Sequence, residues 1–473
     1  MSPVQYATFS GRLIMIGFGS IGQGVLPLIL RHIQLKPEQI TIFTAHEWGR
    51  DIAAAQGVTD FRLQPLTREN YLTLLGPLVH KGDFIVNLSY DVSSPALMEL
   101  CHTVGALYLD SCIEPWAGGY YDPTLTPTER SNYGLRELAL SINRRNWPHR
   151  PTCVLTHGVN PGLISHFVKD ALLNMARDTG LTISTPKTRE DWARLAQQLG
   201  IKVIHIAERD TQVAARRKQP GEFVNTWSVE AFAGEGSQPS ELGWGTHEKN
   251  LPSSGRRHPI GCQAAIYLEQ PGVATRVRSW TPLEGPYMGY LITHGESISL
   301  ADYLTVRDGS EVAYRPTVHY AYHPCDDAVL SIHEYCGKGY VLQDNHRLIK
   351  EDIVSGMDEL GVLLGGNPKG AYWYGSRLTI EQARALCPHN GATSLQTTSG
   401  VLGGIVWALK NPERGVVDPE EMDHDVIMNI ARPYLGEMVG VWSEWTPLLG
   451  RERFFPESLD RQDPWQFSNI LVA

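Results

Sequence analysis

Three glycines, and a set of carboxylates near one tryptophan and one histidine, are the residues of this chain whose spacing suits chemistry. Gly17, Gly19 and Gly22 fall in Arg12-Leu-Ile-Met-Ile-Gly-Phe-Gly-Ser-Ile-Gly-Gln-Gly24, between a short apolar run and an amphipathic segment starting near Val25. That order predicts a strand, a tight turn and a helix. Gly17 permits the turn, Gly19 lets the backbone approach a pyrophosphate, and Gly22 allows close packing of helix on strand. Ser20 and Ile21 complete the turn, and the free N–H groups of the helix start face the phosphates. A plain strand-to-helix turn carries the same glycines without a ligand. The strand before and the helix after favour dinucleotide binding.

The middle of the chain is acidic where it is aromatic. In the stretch Asn225 to Glu248, alternation from Thr226 to Phe232 predicts a strand, followed by a glycine-rich loop carrying Glu235. An isolated Trp227 would be ordinary core. With Glu208, Glu230 and Glu235 available it can instead hold an alkylammonium ion, which the indole face attracts by about 0.5 to 2 kcal/mol. Neighbouring carboxylates then accept the charged N–H donors. A second passage, Tyr290 to Ile298, ends an apolar strand in Thr-His-Gly and then offers Glu296. A histidine such as His294 titrates near neutral pH and suits proton transfer; the alternative is a histidine satisfied at a helix N-terminus. His319, His323, Cys325, His333 and Cys336 crowd together, but in a strand-like context without a C-x-x-C pair, so no metal is expected.

The elements that must position these residues follow from apolar runs. Strands are predicted at 12–16, 39–44, 82–89 and 106–110, with helices at 48–56, 68–79 and 94–104 between them. Such alternation argues an α/β fold with an N-terminal doubly wound, Rossmann-type parallel sheet. Ligands bind such sheets at the carboxyl ends of the strands, which places Thr44, Asn87, Ser89 and Asp110 among candidate cofactor contacts, with Glu114 close by. No Asp or Glu directly follows the second strand to meet the adenosine ribose; Glu47 comes a few residues late. No Arg follows it either, so NAD is favoured over NADP. After an amphipathic segment, 126–146, a further strand ends in Asn160-Pro-Gly162. Asn160 either caps the next helix or, with Pro161, reaches the cofactor or substrate.

At 473 residues the chain suggests two or three domains. Residues 1–160 form the NAD-binding domain, 161–395 an α+β substrate-binding and dimerisation domain, and 396–473 a segment that packs back on the first domain or into a subunit contact. Within that segment 398–410 reads as a helix with small residues on one face, and 415–420 as an extended turn. The net charge of −10 leaves no basic stripe for nucleic acid and is compatible with a cationic small substrate. The N-terminus lacks a signal-peptide core and no apolar run would span a bilayer. Seven scattered cysteines make a disulfide framework improbable and fit a cytoplasmic protein.

The glycine fingerprint, Thr156-His-Gly-Val-Asn-Pro-Gly-Leu163 and Gly415-Val-Val-Asp-Pro-Glu420 resemble the saccharopine-dehydrogenase-like superfamily. Within it, the Asn225–Glu248 stretch and Trp116-Ala-Gly-Gly-Tyr-Tyr121 resemble the bacterial homospermidine synthase family. The resemblance covers essentially the whole chain. It implies a homodimer with tightly held NAD, in which putrescine is oxidised to an imine, ammonia leaves, a second putrescine adds, and the new imine is reduced. By motif, the family's diamine-contacting Trp falls on Trp227, its acidic partners on Glu114, Glu208 and Glu235, and its polar site positions on Asn160, His294 and Glu296. Either His294 or a carboxylate then serves as the base that frees the reacting amine. Two other functions fit parts of the pattern. A reductive amination enzyme for a keto acid would present Arg or Lys to the carboxylate, and Arg209 is the nearest candidate. A non-catalytic dinucleotide sensor would need no His/Glu/Trp set.

Overall fold

Short runs such as Leu13-Ile-Met-Ile16 and Phe84-Ile-Val-Asn87 are apolar at nearly every position, which suits strands covered on both faces. They form β1 (Leu13–Ile16), β2 (Ile40–Thr44), β3 (Asp60–Leu63), β4 (Phe84–Asn87), β5 (Leu107–Asp110) and β6 (Cys153–Val154). The computed structural model describes residues 3–472. All six strands pair in parallel in the order β3-β2-β1-β4-β5-β6, the doubly wound order of a dinucleotide-binding domain. A seventh strand, Val416–Val417, joins β6 in parallel, where an extended turn was expected. The order reverses between β1 and β4. From β1 the chain enters helix α1 (Ser20–His32) through the glycine turn.

The predicted helices shorten to Arg50–Ala55 and Tyr71–Leu75, whereas Ser94–Val104 matches and has a Ser93 cap. The expected 126–146 segment is a helix at Asn132–Ser141 followed by a 3-10 turn. The small-residue helix extends further back than expected, to Ala392–Lys410, because Ser394 Oγ accepts the Gly391 N–H and caps its start. It packs against α1 and β5. A Cβ at Gly400 would lie 2.0 Å from the Gly158 carbonyl oxygen, and one at Gly404 2.5 Å from Leu109.

The chain divides into two compact units, and the division differs from the three successive regions expected. The first unit takes the chain up to Leu163 together with 226–230 and 379–436; the second takes 164–225, 231–378 and the chain from Glu437 on. The region 396–473 is therefore split. Its helix and Val416–Val417 belong to the first unit. Its Trp-rich end belongs to the second unit, where strand Glu437–Ser443 pairs with Ala371–Thr379 and Trp445 and Trp465 enter the core.

That second unit is built on a ten-stranded mixed sheet. At its centre β7 (Val203–Asp210) and β8 (Thr317–His323) run parallel, with Tyr322 opposite Glu208. Alternation along both strands divides their side chains between two faces. One carries Glu208, Tyr320 and Tyr322. The other carries His205 and His319, which lie against each other and against Trp445 and Phe467. Helix α2 (Val229–Ser237) replaces the predicted strand 226–232: Val229, Phe232 and Ala233 are buried at helical spacing, so the three-to-four-residue period overrides the apparent alternation. Helix α3 (Gly295–Tyr303) follows His294 and packs on β8.

Candidate active site

In the first unit the three glycines occupy distinct environments. Gly17 has φ +87°, and a Cβ there would meet the Leu88 backbone at 2.7 Å. A Cβ on Gly22 would lie 2.9 Å from the Gly17 carbonyl oxygen, so helix and turn are in close contact. At Gly19, by contrast, nothing lies within 4 Å of that direction. Gly19 is the N-cap of α1 and, having no side chain, takes up none of the helix's first N–H groups. This cradle fits a pyrophosphate, with Ser20 and Ile21 in the first turn of the helix.

Beside the turn a cavity of about 620 Å³ is lined by Gly17, Thr44, Ala45, Arg68, Ser89 and Trp116 among others. Glu47 instead forms an exposed ion pair with Arg50. Arg68 was missed because it follows β3, but Thr44 pairs with Leu63 in register, so the end of β3 borders the end of β2. Knowledge of the strand order would have found it.

Asn87 and Asp110, expected to touch cofactor, are turned inward. Asn87 donates to Val92 O at 3.2 Å and Tyr108 Oη at 3.3 Å, and its Oδ1 accepts the Ser89 hydroxyl at 2.6 Å. It therefore shapes the loop that presents Ser89. Asp110 is buried and accepts the Thr156 N–H at 2.6 Å and the Tyr108 hydroxyl at 2.9 Å. Burial pushes its carboxyl up to about 6. Through Thr156 it anchors the turn that carries Asn160 and Pro161, whose peptide bond is cis. The helix after this turn begins at Leu163. Glu114 is also buried, with its backbone N–H on Ser94 Oγ and its carboxylate 3.4 Å from Cys112 Sγ.

The second unit gathers four of the predicted residues. His294, at the start of α3, lies 3.2 Å through Nδ1 from Glu296 Oε1 and 3.3 Å through Nε2 from Glu235 Oε2. Burial disfavours charge on the ring, but Glu296 and Glu235 outweigh it and raise His294 to about 10. The ring is thus an imidazolium at neutral pH. A ring that holds its proton can give it to a reacting amine. Glu296 Oε2 is buried without a partner among the described residues. The His294 ring tilts against Tyr320 at 4.4 Å, and the Tyr320 hydroxyl donates to Glu208. Tyr320 was not predicted. Trp227 is half-buried and belongs to the short segment 226–230 of the first unit. Arg209 points away from Glu208 along β7 and is taken up by Glu284 at 3.1 Å and Asp326 at 3.2 Å. His319 and His323 lie against His205 and Tyr287, and among the described residues no group of three or more His, Cys, Asp or Glu side chains is arranged to hold a metal ion.

The saccharopine dehydrogenase NADP binding domain matches residues 13–154 and the saccharopine dehydrogenase C-terminal domain matches 158–441. Fold and glycine cradle accordingly define a dinucleotide-binding protein of the saccharopine dehydrogenase type. The chain is 54% identical over 471 residues to the homospermidine synthase of Blastochloris viridis, covering 99% of this chain and 98% of the relative. It is 50% identical to that of Mesorhizobium japonicum, covering 99% and 97%. The crystal structure of the Legionella pneumophila homospermidine synthase in complex with NAD superposes with a TM-score of 0.91 at 49% identity, covering 98% of each chain. The chain belongs to the homospermidine synthase family.

Proposed function

We propose that the protein is an NAD-dependent homospermidine synthase that converts two molecules of putrescine into sym-homospermidine and ammonia, with no net redox change. The observation that carries this reading is the buried row Glu235–His294–Glu296 with Tyr320–Glu208 beside it. Two carboxylates on one ring, with a third held by the neighbouring Tyr320, suit a substrate with several positive charges.

Gly17, Gly19 and the start of α1 would hold NAD, which would supply reversible hydride transfer at the carbon next to an amine. Everything else falls to the chain's own groups. Glu208, Glu235 and Glu296 bind the ammonium ends of the diamine and stabilise the cationic iminium. His294 supplies a proton to the nitrogen that departs as ammonia, and its conjugate base then accepts one from the incoming amine. Trp227 shields the cation from water, Glu114 holds a distal ammonium, and Asn160 contacts substrate or nicotinamide.

Arg209 is committed to Glu284 and Asp326, so the cation that a keto-acid substrate would need is engaged elsewhere. The protein is read as a cytoplasmic homodimer, a location its free cysteines suit. No helix among the described residues is long and apolar enough to cross a membrane.

The test is a mass-spectrometric product assay with excess putrescine and NAD equimolar with enzyme, while absorbance follows NADH. Many equivalents of homospermidine and ammonia without lasting NADH are expected. NADH that accumulates to one equivalent and stops would mean a simple dehydrogenase.

A further inference from the structure

Tyr320 sits in the middle of β8, buried, with its ring between two others. Tyr322 stacks on it at 5.2 Å with an interplanar angle of 16°, and Phe232 of α2 meets Tyr322 edge-on at 5.6 Å. On its other side lies the His294 imidazole. Its hydroxyl points to Glu208 of β7, which shares its sheet face. One rigid side chain therefore touches both the carboxylate and the imidazolium. Burial holds the phenol well above its ordinary range, so it remains a donor across the working pH.

We propose that Tyr320 is a positioning residue for this reaction: its hydroxyl fixes the Glu208 carboxylate and its ring fixes the His294 imidazole. The amine-binding group and the proton-carrying group then keep one relative geometry through the turnover. The Tyr320 bond is one of the contacts that set the Glu208 rotamer, and a carboxylate turned from the right one loses its charge-assisted bond to the ammonium. This rests on the assignment of Glu208 and His294 made above. A merely structural Tyr320 would be replaced by Phe without kinetic effect, since the ring buries the same apolar surface.

The experiment is steady-state putrescine kinetics on the NAD-loaded full chain, for Tyr320→Phe, Tyr320→Leu, Glu208→Gln and the Tyr320→Phe/Glu208→Gln double variant. Tyr320→Phe is expected to melt like the parent but to raise KM for putrescine about tenfold or more, the worth of a hydrogen bond to a charged group. In the Glu208→Gln background the same change should add nothing, because the two act as one unit. Tyr320→Leu should also lower kcat, as His294 loses its ring contact. A parental KM for Tyr320→Phe, or additive effects in the double variant, overturns the proposal. If Glu208→Gln itself keeps the parental KM, the amine-binding role of Glu208 falls, and the positioning role with it.

Discussion

His294 Nε2 lies 3.3 Å from Glu235 Oε2, and the two residues are brought together from different helices although 59 positions separate them in sequence. With Glu296 on the opposite nitrogen, the buried ring lies between two carboxyl groups. An imidazolium at a helix N-terminus opposes the helix dipole, so the carboxylates must supply its stabilisation. An arriving diamine ammonium competes for those same oxygens.

The folded pKa of His294, about 10, lies above its ordinary 6.5, so its contribution to stability is fully present below about pH 6.5 and lost as pH rises through 10. The melting temperature of the parent should exceed that of His294→Asn most at pH 6, and the gap should close toward pH 10. A gap independent of pH would show that the ring is not charged.

Gly17 and Gly19 should separate folding from cofactor binding. Gly17→Ala places a Cβ 2.7 Å from backbone atoms at positive φ, and should destabilise the protein by about 1 kcal/mol or more. Gly19→Val projects into open space, so melting of the apoprotein should stay near the parent while NAD affinity falls. Calorimetric titration with NAD checks both; parental affinity in Gly19→Val would remove the cradle.

Trp227→Ala is expected to retain NAD and lose turnover, by a factor of up to about thirty for a desolvated cation–π contact. Glu235→Gln should raise KM for putrescine while NAD affinity holds. Unchanged kinetics in either variant would take that residue out of the substrate site.

Asp110 offers a test of the first unit alone. Its folded pKa of about 6 exceeds the ordinary 3.8, so the stability it confers is full below 3.8 and lost as pH rises through 6. Asp110→Asn can keep the Thr156 contact without charge and should gain on the parent between pH 4 and 7, by on the order of 2 kcal/mol. Parallel melting curves for the two proteins would show that the buried carboxyl does not titrate there.

What could be read in the chain was what is local. The glycine turn, the strands ending at Thr44, Asn87 and Asp110, and the passage that holds His294 and Glu296 each sit within a few positions of their cause. The rest depended on packing. Asn87 and Asp110 end strands at the binding edge, but their polar atoms are consumed by Tyr108, Val92, Ser89 and Thr156, a demand that appears only in three dimensions. Thr226 to Phe232 alternates by coincidence, and burial of Val229, Phe232 and Ala233 decides for a helix. Tyr320 lies 112 residues from Glu208, and only the register of β7 against β8 places them on one face.

Strand Val416–Val417 completes a sheet whose other members all lie before residue 155. During synthesis β6 is therefore a bare edge, with its outer N–H and C=O groups unpaired, until more than half of the chain has followed it from the ribosome. Docking of that late strand is a long-range closure and intrinsically slow. The nascent first unit must wait, exposed to wrong partners along that edge, while most of the second is made. A chain cut after residue 378 would leave this defect permanent, so the nucleotide-binding unit is not a module that can be shortened to its N-terminal third.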